Sequence, residues 1–346
     1  MEATKIIIGN YKNKDVIEYN MKNDNGIKVS ILNFGGIITR IMTPDRNGNL
    51  ENIVLAYKNK EDYFTNSAYY GALIGRTAGR IAGSRTIINR KEYEFYPNYN
   101  PNSGHGGKEG FDKKIWEVKE IISNNECGLE LKYYSEDGEE GYPGNVEVKA
   151  KYILNNNNEL KLIIEANSDK DTLFNMTNHS YFNLSGDYKR DISESELMIN
   201  ADEYLEIDKT GAITGKSISC KSTAFDFREK KEIGRDINDS DKQLELGNGY
   251  DHPFIFNDEK GCIVLEDRES GRGLKVETNN SSVVIYTTNY PGNKQLTTGE
   301  MPKFRGAICL ETQEPPIASN GMFTMDSTLK KDKKYSKETK YKLYTV

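Results

Sequence analysis

Hydrophobic and polar residues alternate with a period of two along much of the chain. Val146, Val148, Ala150 and Tyr152 fall on one side of an extended segment, and Glu147, Lys149 and Lys151 on the other. Leu160, Leu162 and Ile164 resume the alternation after the polar tip 155–158. Successive side chains of a strand point to opposite faces, so this stretch is predicted to be a β-hairpin with one buried face. Similar short signals recur over 27–32, 53–57, 92–96, 129–134, 197–200, 274–278, 283–287 and 341–345, with Gly, Asn and Asp turns between them. Only 58–64 and 230–238 look helical, and neither keeps a 3.6-residue period for three turns. With no alternation of strands and helices, no internal repeat and no linker-like break, the pattern predicts an all-β chain, a sandwich or a barrel.

Composition narrows the partners. The chain has 346 residues, 47 Lys and Arg against 53 Asp and Glu, and a formal net charge of −6 with both signs spread along its length. That balance disfavours nucleic acid and anionic membranes. Residues 1–10 lack a secretory signal pattern, and no run approaches the ~18 apolar residues of a membrane span, so the expected location is the cytoplasm. Cys127, Cys220, Cys262 and Cys309 are far apart, which reads as free buried thiols. A cluster of three glycosylation sequons begins at Asn175, Asn178 and Asn183. Without a secretory signal they mark an Asn-rich polar site instead.

Candidate chemistry concentrates around the three histidines, the side chains whose ordinary pKa lies near neutrality. His105 stands between Gly104 and Gly106-Gly107, His179 between Asn178 and Ser180 before Tyr181-Phe182, and His252 in Tyr250-Asp251-His252-Pro253. The glycines free the loop around His105, and Asn178 and Ser180 could fix the tautomer of His179. Polar tips beside flat rings suit a sugar, whose C–H faces stack on aromatics while its hydroxyls take hydrogen bonds. Between Gly75 and Gly83, Arg76 and Arg80 lie among small residues, without the Gly-Lys-Ser/Thr ending of a phosphate loop. Glu311 closes the apolar run 307–310, where a carboxylate is costly to bury unless paired or used. A metal site drawn from the histidines and Glu311 would lack the close ligand spacing of sequence-readable zinc sites, so no metal is expected.

In order, the segments 75–81, His105-Gly106-Gly107, 177–184, 249–254 and Leu310-Glu311-Thr312-Gln313 resemble those of the aldose 1-epimerase (galactose mutarotase) family. The likeness spans roughly residues 5 to 345, and Thr-Asn-His-Ser-Tyr-Phe-Asn-Leu at 177–184 is its most specific piece. It implies one large antiparallel β-sandwich domain over 1–346, of the galactose mutarotase-like supersandwich kind, with a few short helices and an open sugar cleft. It also implies Glu311 as general base, His179 as general acid, and Arg80, His105 and Asp251 as sugar-orienting groups, with Asn178 and Gln313 as further candidates. Where many relatives have Asn, this chain has Gly79, and Glu314-Pro315-Pro316 stands in place of a Leu-Pro pair.

The implied reaction interconverts the α and β anomers of an aldohexose such as galactose or glucose in hexose metabolism. One group removes the C1 hydroxyl proton while another protonates the ring oxygen, and the roles reverse after rotation about C1–C2. No cofactor is expected. The expected partner is a small aldose, with no nucleic acid and no membrane, and a monomer or homodimer as the assembly. Two alternatives stay open, a noncatalytic carbohydrate-binding sandwich and a sugar-phosphate 1-epimerase. The second would need basic residues beyond Arg80 in the cleft, and Arg76 is the nearby candidate.

Overall fold

All 346 residues are described by a computed structural model of the chain. The hairpin read from alternation forms between Val146–Asn155 and Glu159–Ser168, in register from Val146 opposite Ser168 to Leu154 opposite Leu160. Val146, Val148, Ala150, Tyr152 and Leu154 are all buried, and the charged residues between them are not.

That hairpin lies within an antiparallel nine-stranded sheet, which continues through the C-terminal strand Tyr335–Thr345 to Lys231–Glu232. A six-stranded sheet carries Tyr181–Phe182, Ile308–Gln313, Ser282–Tyr286, Asp251–Ile255, Glu203–Ile207 and Ile213–Ser219 in that order. A five-stranded meander runs from Glu2–Tyr11 to Leu50–Asn52. Facing sheet surfaces close on a cluster of 54 buried apolar residues. A second cluster of 17, rich in tyrosine, lies under the Tyr181 and Cys309 pairing. The all-β sandwich expectation holds.

Three local readings change. Segment 53–57 is not a strand, since Val54 and Tyr57 make only isolated bridges and the strand before them is Leu50–Asn52. All five residues are buried, so the apolar run marks chain passing through the core. Segment 230–238 divides into Lys231–Glu232 and the 3₁₀ turn Ile233–Arg235. Gly234 there is pressed against Ser193, where a Cβ would lie 2.8 Å away. The α-helix is instead Lys242–Gly247, capped by the Asp241 side chain accepting from Gln243 N. Segment 58–64 contributes the 3₁₀ helix Lys60–Phe64. All four cysteines are free, and Cys262 is only partly buried. No helix is long and apolar enough to cross a membrane.

Candidate active site

The strand Ile308–Gln313 is buried along its whole length and serves two faces. Ile308 and Leu310 join the large core, so Cys309, Glu311 and Gln313 turn the other way. Backbone pairing sets Glu311 opposite Val284 and Asp251 opposite Tyr286, which brings the two carboxylates to one mouth. His179 follows the short strand Thr177–Asn178, and its backbone donates to Ala72 O at 2.9 Å and accepts from Gly71 N at 3.0 Å. His105 is itself in the left-handed region at φ 50°. Its neighbour Gly106 crosses so close to Gly75 that a Cβ would sit 1.8 Å from the carbonyl oxygen. That position requires glycine.

These elements converge on a cleft of about 660 Å³, within the range of small-molecule sites. Arg80, His105, His179, Asp251 and Glu311 all line it. His179 Nε2 lies 3.3 Å from Glu311 Oε1, both side chains almost wholly buried, and Glu311 Oε2 has no partner. The His105 and His179 rings meet edge to face, with centroids 5.2 Å apart. Arg80 reaches Asp251 at 3.4 Å and donates to Gly211 O at 3.1 Å.

Tyrosines complete the walls, and of these Tyr181 alone stood in a motif of the sequence. Tyr181 and Tyr69 stack on His179 at 5.1 and 5.8 Å, Tyr99 lies under Arg80 at 5.4 Å, and Tyr286 and Tyr290 stand at the rim. For Tyr69, Tyr99, Tyr286 and Tyr290 the count of 22 tyrosines is the one sign in the sequence.

Burial governs the electrostatics. It lowers the pKa of His179 to about 4, against a smaller opposing backbone hydrogen bond, and holds that of His105 well below the usual value. It raises Glu311 well above the ordinary carboxylate range, with Asp251 adding to the shift and Arg80 opposing it. Both members of the pair therefore resist charge, and the state that suits them is one proton held between Nε2 and the carboxyl oxygen. Donor atoms of His105, His179 and Glu311 lie within 4.8 Å of one another, a convergence linear spacing does not announce.

Other residues lie elsewhere. Asn178 spends its amide on Gly71 O at 2.8 Å and the Tyr152 hydroxyl at 3.1 Å, and its carbonyl accepts from Ser180. Asn178 and Ser180 thus bond each other, not the imidazole. Gln313 is buried behind Gly79, with Nε2 donating to Glu314 O at 3.2 Å and Oε1 unpartnered. His252 is fully buried, its Nδ1 accepting from Asp251 N at 3.1 Å and its Nε2 3.3 Å from Gln243 Oε1. Arg76 points away, onto Ser135, Glu136 and Pro143. The two departures in the motifs meet in space, since a Cβ on Gly79, at φ +70°, would lie 2.8 Å from Pro316 Cγ.

A family profile described as Aldose 1-epimerase matches residues 18–342. Galactose mutarotase of Homo sapiens is 38% identical over 298 residues, 85% of this chain and 84% of that protein. Aldose 1-epimerase of Haemophilus influenzae is 35% identical over 303 residues, 87% of each. The crystal structure of galactose 1-epimerase from Lactobacillus acidophilus superposes with a TM-score of 0.90 at 31% identity, covering 99% of both chains.

Proposed function

The chain belongs to the aldose 1-epimerase family and is an isomerase that interconverts aldose anomers, and we propose that Glu311 and His179 carry the proton transfers. Mutarotation moves one proton from O1 to the ring oxygen and needs no net proton from water. A buried pair that holds a single proton between them is matched to that requirement.

In the productive arrangement the shared proton sits on His179 and Glu311 is ionised. Glu311 takes the O1 proton as His179 Nε2–H protonates the ring oxygen; the C1–O5 bond breaks and the aldehyde forms. After rotation about C1–C2 the hydroxyl on C5 attacks the other carbonyl face, returning its proton to His179 while Glu311 protonates O1. His105 and Arg80 donate toward the sugar oxygens, and Asp251 holds Arg80 in place. Each step uses groups of this chain alone.

The 3.3 Å contact between His179 and Glu311, buried at the base of an open cleft, is the observation that carries this reading. It favours catalysis over simple sugar binding, which needs no matched acid and base. A sugar-phosphate substrate has less support, because Arg76 faces away from the cleft and Arg80 is already paired with Asp251. We read residues 1–346 as one domain, acting as a monomer or homodimer. Four free thiols fit a cytoplasmic setting.

Polarimetry on freshly dissolved α-galactose and α-glucose tests the assignment. Glu311→Gln and His179→Gln should each reduce kcat by about 10²–10⁴ while the thermal unfolding of the protein stays cooperative. Near-normal turnover in either variant would refute its role as a proton carrier.

A further inference from the structure

The strand that carries Glu311 also touches the other nitrogen of the same imidazole. Cys309 Sγ lies 3.5 Å from His179 Nδ1, while Glu311 Oε1 lies 3.3 Å from Nε2. Cys309 and Glu311 are two positions apart, so the pleat of the strand points both side chains to one face, about 6.6–6.8 Å apart along it. The strand thus grips the ring by both nitrogens. Backbone pairing of Cys309 with Tyr181 fixes the strand beside the segment that bears His179. Cys309 is fully buried and His179 nearly so, which leaves the thiol as the protein's partner for Nδ1.

We propose that Cys309 is a positioning residue for the reaction, its sulfur accepting a hydrogen bond from His179 Nδ1–H so that Nε2 is the nitrogen that gains and loses the proton. The idea rests on His179 acting as the proton carrier. Transfer at Nε2 requires the neutral imidazole to keep its hydrogen on Nδ1, and an acceptor behind Nδ1 is what selects that tautomer. Burial raises the Cys309 thiol well above its ordinary pKa, with Glu311 and Asp251 adding to the effect, so the acceptor is an uncharged sulfur. A carboxylate there would hold the imidazolium tightly and weaken it as an acid. A thiol orients the ring and leaves the imidazolium a strong proton donor to a weakly basic ring oxygen. The other groups facing His179 are His105 from its glycine loop, Tyr69 and Tyr181 against its faces, and Arg80 and Asp251 beyond Glu311.

Two readouts test this. In ¹⁵N-labelled, sugar-free enzyme at neutral pH, with His179 assigned by its absence in His179→Gln, Nδ1 should carry the hydrogen and Nε2 should be bare. Cys309→Ser, a better acceptor of nearly the same shape, should move the acid limb of the kcat/KM profile upward by about one pH unit. Cys309→Ala should lower kcat about tenfold at unchanged KM, and Ser should restore most of it. A bare Nδ1 in the wild type, or an acid limb unmoved in Cys309→Ser, would overturn the proposal. Full turnover in His179→Gln would instead remove the reading it rests on, and the nitrogen spectrum would still report the Nδ1 contact.

Discussion

Two acidities have been inverted by burial at the level of single residues. An exposed Glu and His would titrate near 4.3 and 6.5, so the reactive form with ionised Glu and charged His would be confined between those values. Here His179 is pushed down to about 4 and Glu311 upward, which widens the interval in which the pair holds one proton. The rim offers a test of fit. Gly79→Asn tolerates the positive φ better than most side chains would, yet its Cβ meets Pro316 Cγ at 2.8 Å. Gly79→Asn alone should raise KM for galactose several-fold, and adding Pro316→Ala should recover most of the loss. A double-mutant cycle on KM would show the coupling. The sequence made His105, His179, Asp251 and Glu311 legible because their chemistry is rare and their motifs contiguous. It hid the contact of Cys309 with His179 and the tyrosine walls, because those partners meet only after strands far apart in sequence pair.

Among the strands and helices, alternation revealed strands wherever one face was buried and the other wet, as in Val146–Asn155 and Glu159–Ser168. It failed where both faces are buried, since 53–57 reads as a strand although no ladder forms there. The helix Lys242–Gly247 spans six residues, too short for a periodic signal. Strand Ile308–Gln313 shows why Glu311 reads ambiguously: a carboxylate after an apolar run could end a strand at solvent, but pairing on both edges keeps it inside. The hairpin also supports the site from below. Tyr152 OH donates to Gly36 O at 3.0 Å and accepts from Asn178, next to His179. Tyr152→Phe should leave Gly36 O and one amide hydrogen of Asn178 buried and unmet, at a cost of about 1–3 kcal/mol. Chemical denaturation should show that loss with KM little changed.

For the protein as a whole, the same buried imidazoles make the fold sensitive to acid. His252 is held at about 3 and His179 at about 4, both by burial, against 6.5 in an unfolded chain. Below pH 6.5 the unfolded chain protonates these imidazoles and the folded one does not, so their contribution to stability is complete above that pH and is lost as pH drops toward 4 and then 3, while the raised Glu311 acts with the opposite sign as pH climbs past the ordinary carboxylate range. Each unit of depression corresponds to about 1.4 kcal/mol. Melting temperature should therefore decline steeply from pH 6.5 to 4, and His252→Gln, outside the catalytic pair, should flatten that decline. Catalysis in the same range follows the proton count of the pair, which the pH dependence of kcat/KM for α-galactose reads out. A shared proton gives a broad plateau through neutrality, with an acid limb near pH 4 and an alkaline limb well above the ordinary carboxylate range. A narrow bell centred between 4.5 and 6.5, with activity already lost at pH 7, would mean that His179 and Glu311 titrate as independent, unshifted groups and that no such proton is shared.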